Sequence, residues 1–214
     1  MNRTHVLVVA KEPIPGRVKT RLCPPLDPAE AARVAAAALA DTLDAVARCG
    51  ADRRVVALDG RPGPWLPAGF EVVPQVRGPL GVRLAAAWRR VGGPGVQIGM
   101  DTPQVTPSLL DDALGLLTGG DSRTALLGPA EDGGWWALGL HRWWPGLFDG
   151  VPMSTAHTGA RQADRLRSRG LTVTALPMLR DIDTAADAVA VADAAPGLRT
   201  AGVVRALLAG PVAR

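Results

Sequence analysis

Lys11 and Lys19 are the two lysines among 24 basic residues, and both lie in one short loop, Lys11-Glu-Pro-Ile-Pro-Gly-Arg-Val-Lys-Thr-Arg-Leu22. The rest of the chain uses arginine, is rich in Ala, Gly and Pro and lacks Tyr, a bias that points to GC-rich coding. Two lysines kept side by side against that bias suggest a need for a compact ammonium rather than a planar guanidinium. Lys11, Arg17, Lys19 and Arg21 supply four positive charges, and Gly16 allows close backbone approach. That combination suits a pyrophosphate, whose charge sits on its non-bridging oxygens. The loop matches neither the Walker A pattern nor GxGxxG. Its plain alternative is a solvated basic loop.

Three acidic stretches complete the set. Gly99-Met-Asp101-Thr-Pro103 follows an apolar run and presents a carboxylate where a sheet would end. Carboxylates together with substrate phosphates are how proteins hold Mg²⁺ or Mn²⁺, so Asp101 is a candidate metal ligand. A helix cap or Asx-turn is the competing role. Gly128-Pro-Ala-Glu-Asp132-Gly133-Gly134-Trp135-Trp136 joins a carboxylate pair, a glycine pair and two indoles. Glycines let backbone approach a ligand and indole faces suit sugar rings or bases, although a tight turn with core tryptophans reads the same way. Strand alternation predicts that the tryptophans split, one indole in the core and one towards a ligand. Asp181-Ile-Asp183-Thr-Ala-Ala-Asp187 offers Asp183 either as a helix cap or as a second metal carboxylate. His5, His141 and His157 show no ligand spacing, and no GxSxG elbow is present.

An alternating series of strands and helices must carry these stretches. Apolar runs predict strands over 5–10, 54–58, 70–73, 95–99, 124–127, 135–140 and 171–176. Asp27-Pro28-Ala29-Glu30 supplies an N-cap, a proline at the first helical position and an acidic first turn, opening a helix to Cys49. Further helices are expected over 80–91, 107–117, 156–169, 184–195 and 197–209. The pattern is α/β with a mostly parallel sheet, and all four stretches follow strands, where open sheets bind ligands. Residues 128–153 break the alternation, which implies an inserted hairpin or an antiparallel edge. No repeat or linker divides the 214 residues, so one domain, 1–214, is expected.

Composition narrows the function class. With 47% apolar and 21% charged residues the chain can bury a core unaided. No apolar run reaches the roughly 20 residues of a membrane span, and the N-terminal run Val6–Ala10 is too short for a signal peptide. Cys23 and Cys49 form no disulfide framework, so the expected location is cytoplasmic. The net charge of +4 is scattered, with no basic tail, and six tryptophans and two phenylalanines form no stacking platform. Small anionic ligands fit this balance better than nucleic acid.

The order of motifs resembles a bacterial family of candidate glycosyltransferases with a GT-A-like, nucleotide-diphospho-sugar transferase fold, the radical-SAM/selenodomain-associated transferase group. The matching elements are Lys11 to Leu22, Gly99 to Pro103, Gly128 to Gly134 and Asp181 to Thr184. The resemblance implies a nucleotide-binding N-terminal half, with Lys11, Gly16, Arg17, Lys19 and Arg21 near the phosphates. It implies Mg²⁺ or Mn²⁺ held by Asp101 and Asp183, and Asp132, Gly133, Gly134 and Trp135 on the acceptor side. Lys19, Asp101 and Asp132 would be the catalytic residues. The family's Gly-Asp-Leu-Gly-Glu-Arg segment here reads Gly78-Pro79-Leu80-Gly81-Val82-Arg83, with both acids gone, and its Trp-Ser-Thr reads Met153-Ser154-Thr155. The implied activity is metal-dependent glycosyl transfer from a nucleotide-sugar to a small-molecule acceptor. The motifs equally serve a nucleotidyltransferase that joins an NTP to a phosphorylated small molecule and releases pyrophosphate. A non-catalytic nucleotide-binding protein is the third reading, motivated by the two missing acids.

Overall fold

The apolar runs become seven strands: β1 (His5–Lys11), β2 (Arg53–Asp59), β3 (Phe70–Pro74), β4 (Gly95–Gly99), β5 (Thr124–Pro129), β6 (Trp135–Leu140) and β7 (Thr172–Ala175). The computed structural model describes residues 3–208. The strands form one sheet in the order β3-β2-β1-β4-β6-β5-β7. Every neighbouring pair is parallel except those of β6, which runs antiparallel to β4 and β5. Of the two expectations for residues 128–153, the hairpin forms and the edge does not. Ala137, Leu138 and Leu140 are fully buried, so β6 can only be satisfied inside the sheet. The edges fall instead to β3 and to β7, both with partly exposed residues.

The helices are α1 (Pro28–Arg48), α2 (Leu80–Val91), α3 (Pro107–Gly119), α4 (Thr158–Ser168), α5 (Ala185–Ala194) and α6 (Arg199–Leu208). The expected last-helix end at 209 lies outside the described residues. α1 starts as its sequence dictates: Asp27 accepts from the Ala29 and Glu30 amides, and Glu30 accepts from the Asp27 amide. This reciprocal box with Pro28 satisfies donors that the first turn leaves orphaned. α1 and α3 cover one face of the sheet, through Leu39, Leu43, Leu110 and Leu117 against Val6, Val8 and Ile98. α2 and α4 cover the other, through Leu84, Trp88 and Leu166. α5 and α6 pack on the outer side of α1 around Val34, Ala38, Val191 and Val204. The buried Asp41 carboxylate of α1 clasps the start of α6, accepting from the Thr200 amide and hydroxyl at 2.9 and 2.7 Å. Among the described residues no helix is long and apolar enough to cross a membrane.

His5 begins β1 and is inaccessible to solvent. Its imidazole meets the edge of Trp88 with centroids 5.3 Å apart, and a Cβ on Gly95 would lie 2.3 Å from the ring. Neither ring nitrogen has a protein partner. Burial, reinforced by the Arg53 charge, lowers the pKa to about 4. The folded chain therefore keeps His5 neutral while the unfolded chain takes up a proton near pH 6.5. Stability contributed by this neutral ring is present above about pH 6.5 and is lost as pH falls towards 4, by at most about 1.4 kcal/mol per pH unit. Urea unfolding of wild type and His5→Leu across pH 4–8 should show their difference shrinking or reversing at the acid end. Parallel profiles would mean that the imidazole stays solvated.

Candidate functional site

The carboxyl ends of β1 and β4 open into a cleft of about 790 Å³. Lys11, Arg17, Lys19 and Arg21 line it from the loop after β1, and Asp101 lines it from the turn after β4. Asp132, Gly134 and Trp135 reach it from the β5–β6 turn, and Asp181 and Asp183 from the segment before α5. The structure thus brings together the four stretches that lie far apart in sequence.

The segment 101–104 is zipped to 180–182. The Ile182 amide donates to the Asp101 carbonyl at 2.9 Å, Thr102 Oγ1 donates to Asp181 at 3.0 Å, and Gln104 Nε2 donates to the Arg180 carbonyl at 2.8 Å. Both capping alternatives fail. Thr106 caps α3, and Thr184 caps α5 in a reciprocal box with Asp187. The Asp101 and Asp183 side chains are left to face the cleft.

What they face is Lys19. Its ammonium lies 3.0 Å from Asp101 Oδ1 and 3.5 Å from Asp183 Oδ1, and it also donates to the Ile182 carbonyl. Arg21 Nη1 reaches the other Asp183 oxygen at 3.0 Å. The Lys19 side chain is only 8% exposed, and its backbone is left-handed at φ 49°. Burial opposes its charge, but the Asp101 and Asp183 carboxylates outweigh burial and raise its pKa. The two lysines therefore differ: Lys11 is exposed at the mouth of the cleft, while Lys19 is engaged by carboxylates rather than open to a phosphate.

Asp181 is the residue that sequence reasoning passed over. Burial, with the like charge of Asp101 added, pushes its carboxyl up to about 7. The Asp-x-Asp spacing was the available signal, but spacing alone cannot show which of the two is sunk. Arg83 and Gln75 were also missed as part of the cleft. Gln75 Nε2 donates to the Ala10 and Ala57 carbonyls, and its Oε1 accepts from Arg83 at 2.9 Å, fixing the guanidinium in the cleft wall.

Two of the glycines meet local backbone needs. Gly16 has open space where a Cβ would sit, and its φ of 74° serves the turn. Gly133, at a φ of 85°, lies against the Ala156 carbonyl, 2.1 Å from where a Cβ would be. The tryptophans split in burial as alternation predicts, although both border the cleft. Trp136 is 2% exposed and donates to the Pro177 carbonyl, whereas Trp135 is half-buried and stacks on Phe148 at 6.3 Å. Pro79 and Val82, where the resembled family carries acids, line a neighbouring apolar groove of about 680 Å³.

Asp101 and Asp183 converge on one cationic point, the Lys19 ammonium, and carboxylate oxygens are donors that a hard divalent ion could also use. Among the described residues no three His, Cys, Asp or Glu side chains form a metal-holding cluster. Two protein carboxylates with substrate phosphates fit Mg²⁺ or Mn²⁺ nonetheless, since such ions keep several waters.

The fold is shared with solved transferases. A candidate nucleotide-diphospho-sugar transferase from Desulfovibrio desulfuricans G20 superposes with a TM-score of 0.86 at 26% identity, over 98% of this chain and 96% of that one. A nucleotidyl transferase from Methanothermobacter gives a TM-score of 0.59 at 19% identity, over 91% and 98%. Rv0371c from Mycobacterium tuberculosis H37Rv, in complex with manganese, gives 0.51 at 20% identity, over 88% and 97%. No curated protein matches the chain in sequence. A family model described as "Uncharacterized protein conserved in bacteria" matches residues 31–155. The α/β architecture of nucleotide-diphospho-sugar transferases is thus built here by a chain that belongs to the bacterial family DUF2064.

Proposed function

We propose that this chain is a metal-dependent transferase that takes a nucleotide-sugar as donor and a small molecule as acceptor. The observation that carries the reading is the convergence of Asp101 and Asp183 on one cationic point beside a basic loop, at the carboxyl edge of the sheet. Asp101 and Asp183 would hold Mg²⁺ or Mn²⁺, whose chemistry is to offset the charge of the departing nucleoside diphosphate. Lys11, Arg17 and Arg21 line the cleft as donors to phosphate oxygens. Arg83, fixed by Gln75, closes the wall beside β1, where it would meet the donor. Asp132 commits Oδ1 to the Gly134 amide at 2.8 Å, leaving Oδ2 to orient or deprotonate an acceptor hydroxyl. Trp135 supplies an apolar wall for the acceptor.

One observation favours a second reading, transfer of a nucleotidyl group from an NTP to a phosphorylated small molecule. Lys11, Arg17 and Arg21 offer three cations besides Lys19, enough for a triphosphate. The two reactions differ in what leaves: a nucleoside diphosphate in the first, pyrophosphate in the second.

A thermal-shift panel of NTPs and nucleotide-sugars with Mg²⁺ or Mn²⁺ tests both. A bound donor at 100 times its Kd adds about 2.7 kcal/mol, which in a chain of this size raises Tm by roughly 5–11 °C. Acceptor trials with the best donor then score diphosphate against pyrophosphate release. If no nucleotide moves Tm with metal present, both transferase readings fail.

A further inference from the structure

We propose that Lys19 is a resident cation of the Asp101–Asp183 pair that must withdraw before a divalent ion can enter, so that metal binding exposes the lysine to the substrate's phosphates. The inference rests on the metal reading above and adds to it an exchange between two cations. Its ground is geometric. The ammonium stands 3.0 Å from Asp101 Oδ1 and 3.5 Å from Asp183 Oδ1. An ion coordinated by the same two oxygens at about 2.1 Å would occupy the same space. Ammonium and divalent ion therefore exclude one another on steric grounds and repel one another by charge.

The lysine is held there by more than attraction. Residue 19 adopts a left-handed conformation at φ 49°, unusual for a side chain of this kind, at the start of a short 3-10 turn over Thr20–Leu22. Its ammonium also donates to the Ile182 carbonyl, so three oxygens enclose it. Arg21 keeps the second Asp183 oxygen at 3.0 Å, so Asp183 stays oriented when the ammonium leaves. The withdrawn side chain remains on the loop that lines the cleft with Lys11 and Arg17. A desolvated ammonium needs a new anionic partner, and phosphate oxygens provide one. Lys19 would thus reach the phosphates as the substrate arrives with metal, and each ligand would favour entry of the other.

The lysine count makes the exchange measurable. Lys11 and Lys19 are the chain's two lysines, so pulse labelling with an amine-reactive reagent, read by peptide mass spectrometry, reports on each separately. Lys11 is exposed and serves as the internal reference. Without divalent ions Lys19 should be protected; saturating Mg²⁺ should speed its labelling at least tenfold and leave Lys11 unchanged. In parallel, Mn²⁺ binding followed by electron paramagnetic resonance should be at least tenfold tighter in Lys19→Met than in wild type. Asp101→Asn controls for the carboxylate site, and circular dichroism checks the fold of each variant.

Mn²⁺ binding to wild type while Lys19 stays protected in Mg²⁺ would overturn the exchange and leave the metal reading standing. So would a folded Lys19→Met that binds Mn²⁺ no more tightly than wild type. Binding by Lys19→Met alone would overturn the exchange, because the lysine would then block the site rather than withdraw from it. If neither protein binds Mn²⁺, even with inorganic pyrophosphate present, the metal reading itself fails and the exchange falls with it. The wild-type labelling arm stands if the variant does not fold.

Discussion

Asp101→Asn should lose divalent-ion binding and, once a donor is identified, lower kcat/KM by on the order of 10²- to 10³-fold. Asparagine keeps the shape of the side chain and can still accept a hydrogen bond from Lys19, so the loop need not collapse. What it removes is the negative charge that a hard cation requires. Several kcal/mol of transition-state charge stabilisation travel with such an ion, and each 1.36 kcal/mol is tenfold in rate. Asp183→Asn should behave alike, because the two carboxylates flank the same point. Asp121→Asn, in the turn before β5, should change neither binding nor rate. Electron paramagnetic resonance of added Mn²⁺ reads the binding directly. An Asp101→Asn protein that holds Mn²⁺ like wild type would remove Asp101 from the metal site.

Trp88→Ala should cost about 3–5 kcal/mol of folding stability, the range for truncating a buried large aromatic. Trp88 is inaccessible to solvent and packs α2 against the sheet within a cluster that includes Leu84, Leu138 and Leu140. Truncation would leave a cavity under α2 and strip the edge contact from the buried His5 ring. Against a typical total of 5–15 kcal/mol this is a large share, and for a chain of this length it lowers Tm by roughly 6–20 °C. Urea midpoints with an unchanged slope would confirm a stability effect. A loss below about 1 kcal/mol would mean that α2 closes over the gap.

The first turn of α1 was legible because its information is local. Asp27, Pro28 and Glu30 sit within one turn, and the reciprocal cap follows from their order. The same holds for β4 and α2, whose ends coincide with Gly95–Gly99 and Leu80–Val91. The antiparallel β6 was only half legible. Its hairpin could be read from residues 128–134, but its place between β4 and β5 depends on partners far away in the chain. The site divides along the same line. Asp101 and Asp183 could be named from their positions after strands. The capture of Lys19 could not, because its contacts span 164 residues of sequence. Gly16 and Gly133 were ambiguous in the sequence for a related reason. A glycine reports that backbone needs freedom, not whether a ligand or the protein's own Ala156 is the neighbour.

The late arrival of Asp183 has a consequence for biosynthesis. At about 5–20 residues per second on the ribosome, the 164 residues between Lys19 and Asp183 take roughly 8–33 s to make. Throughout that interval the nascent chain carries the basic loop, and later Asp101, without the second carboxylate. In the folded chain the segment that brings Asp183 is held by its bonds to residues 101–104 and by the packing of α5 and α6 on α1. If the proposed metal site is right, transferase activity would be withheld from nascent chains that end before Asp183. On the proposed reading, a half-made copy carries the basic loop but lacks the paired carboxylates that would hold the ion, so a ribosome stalled before Asp183 would not display a working enzyme.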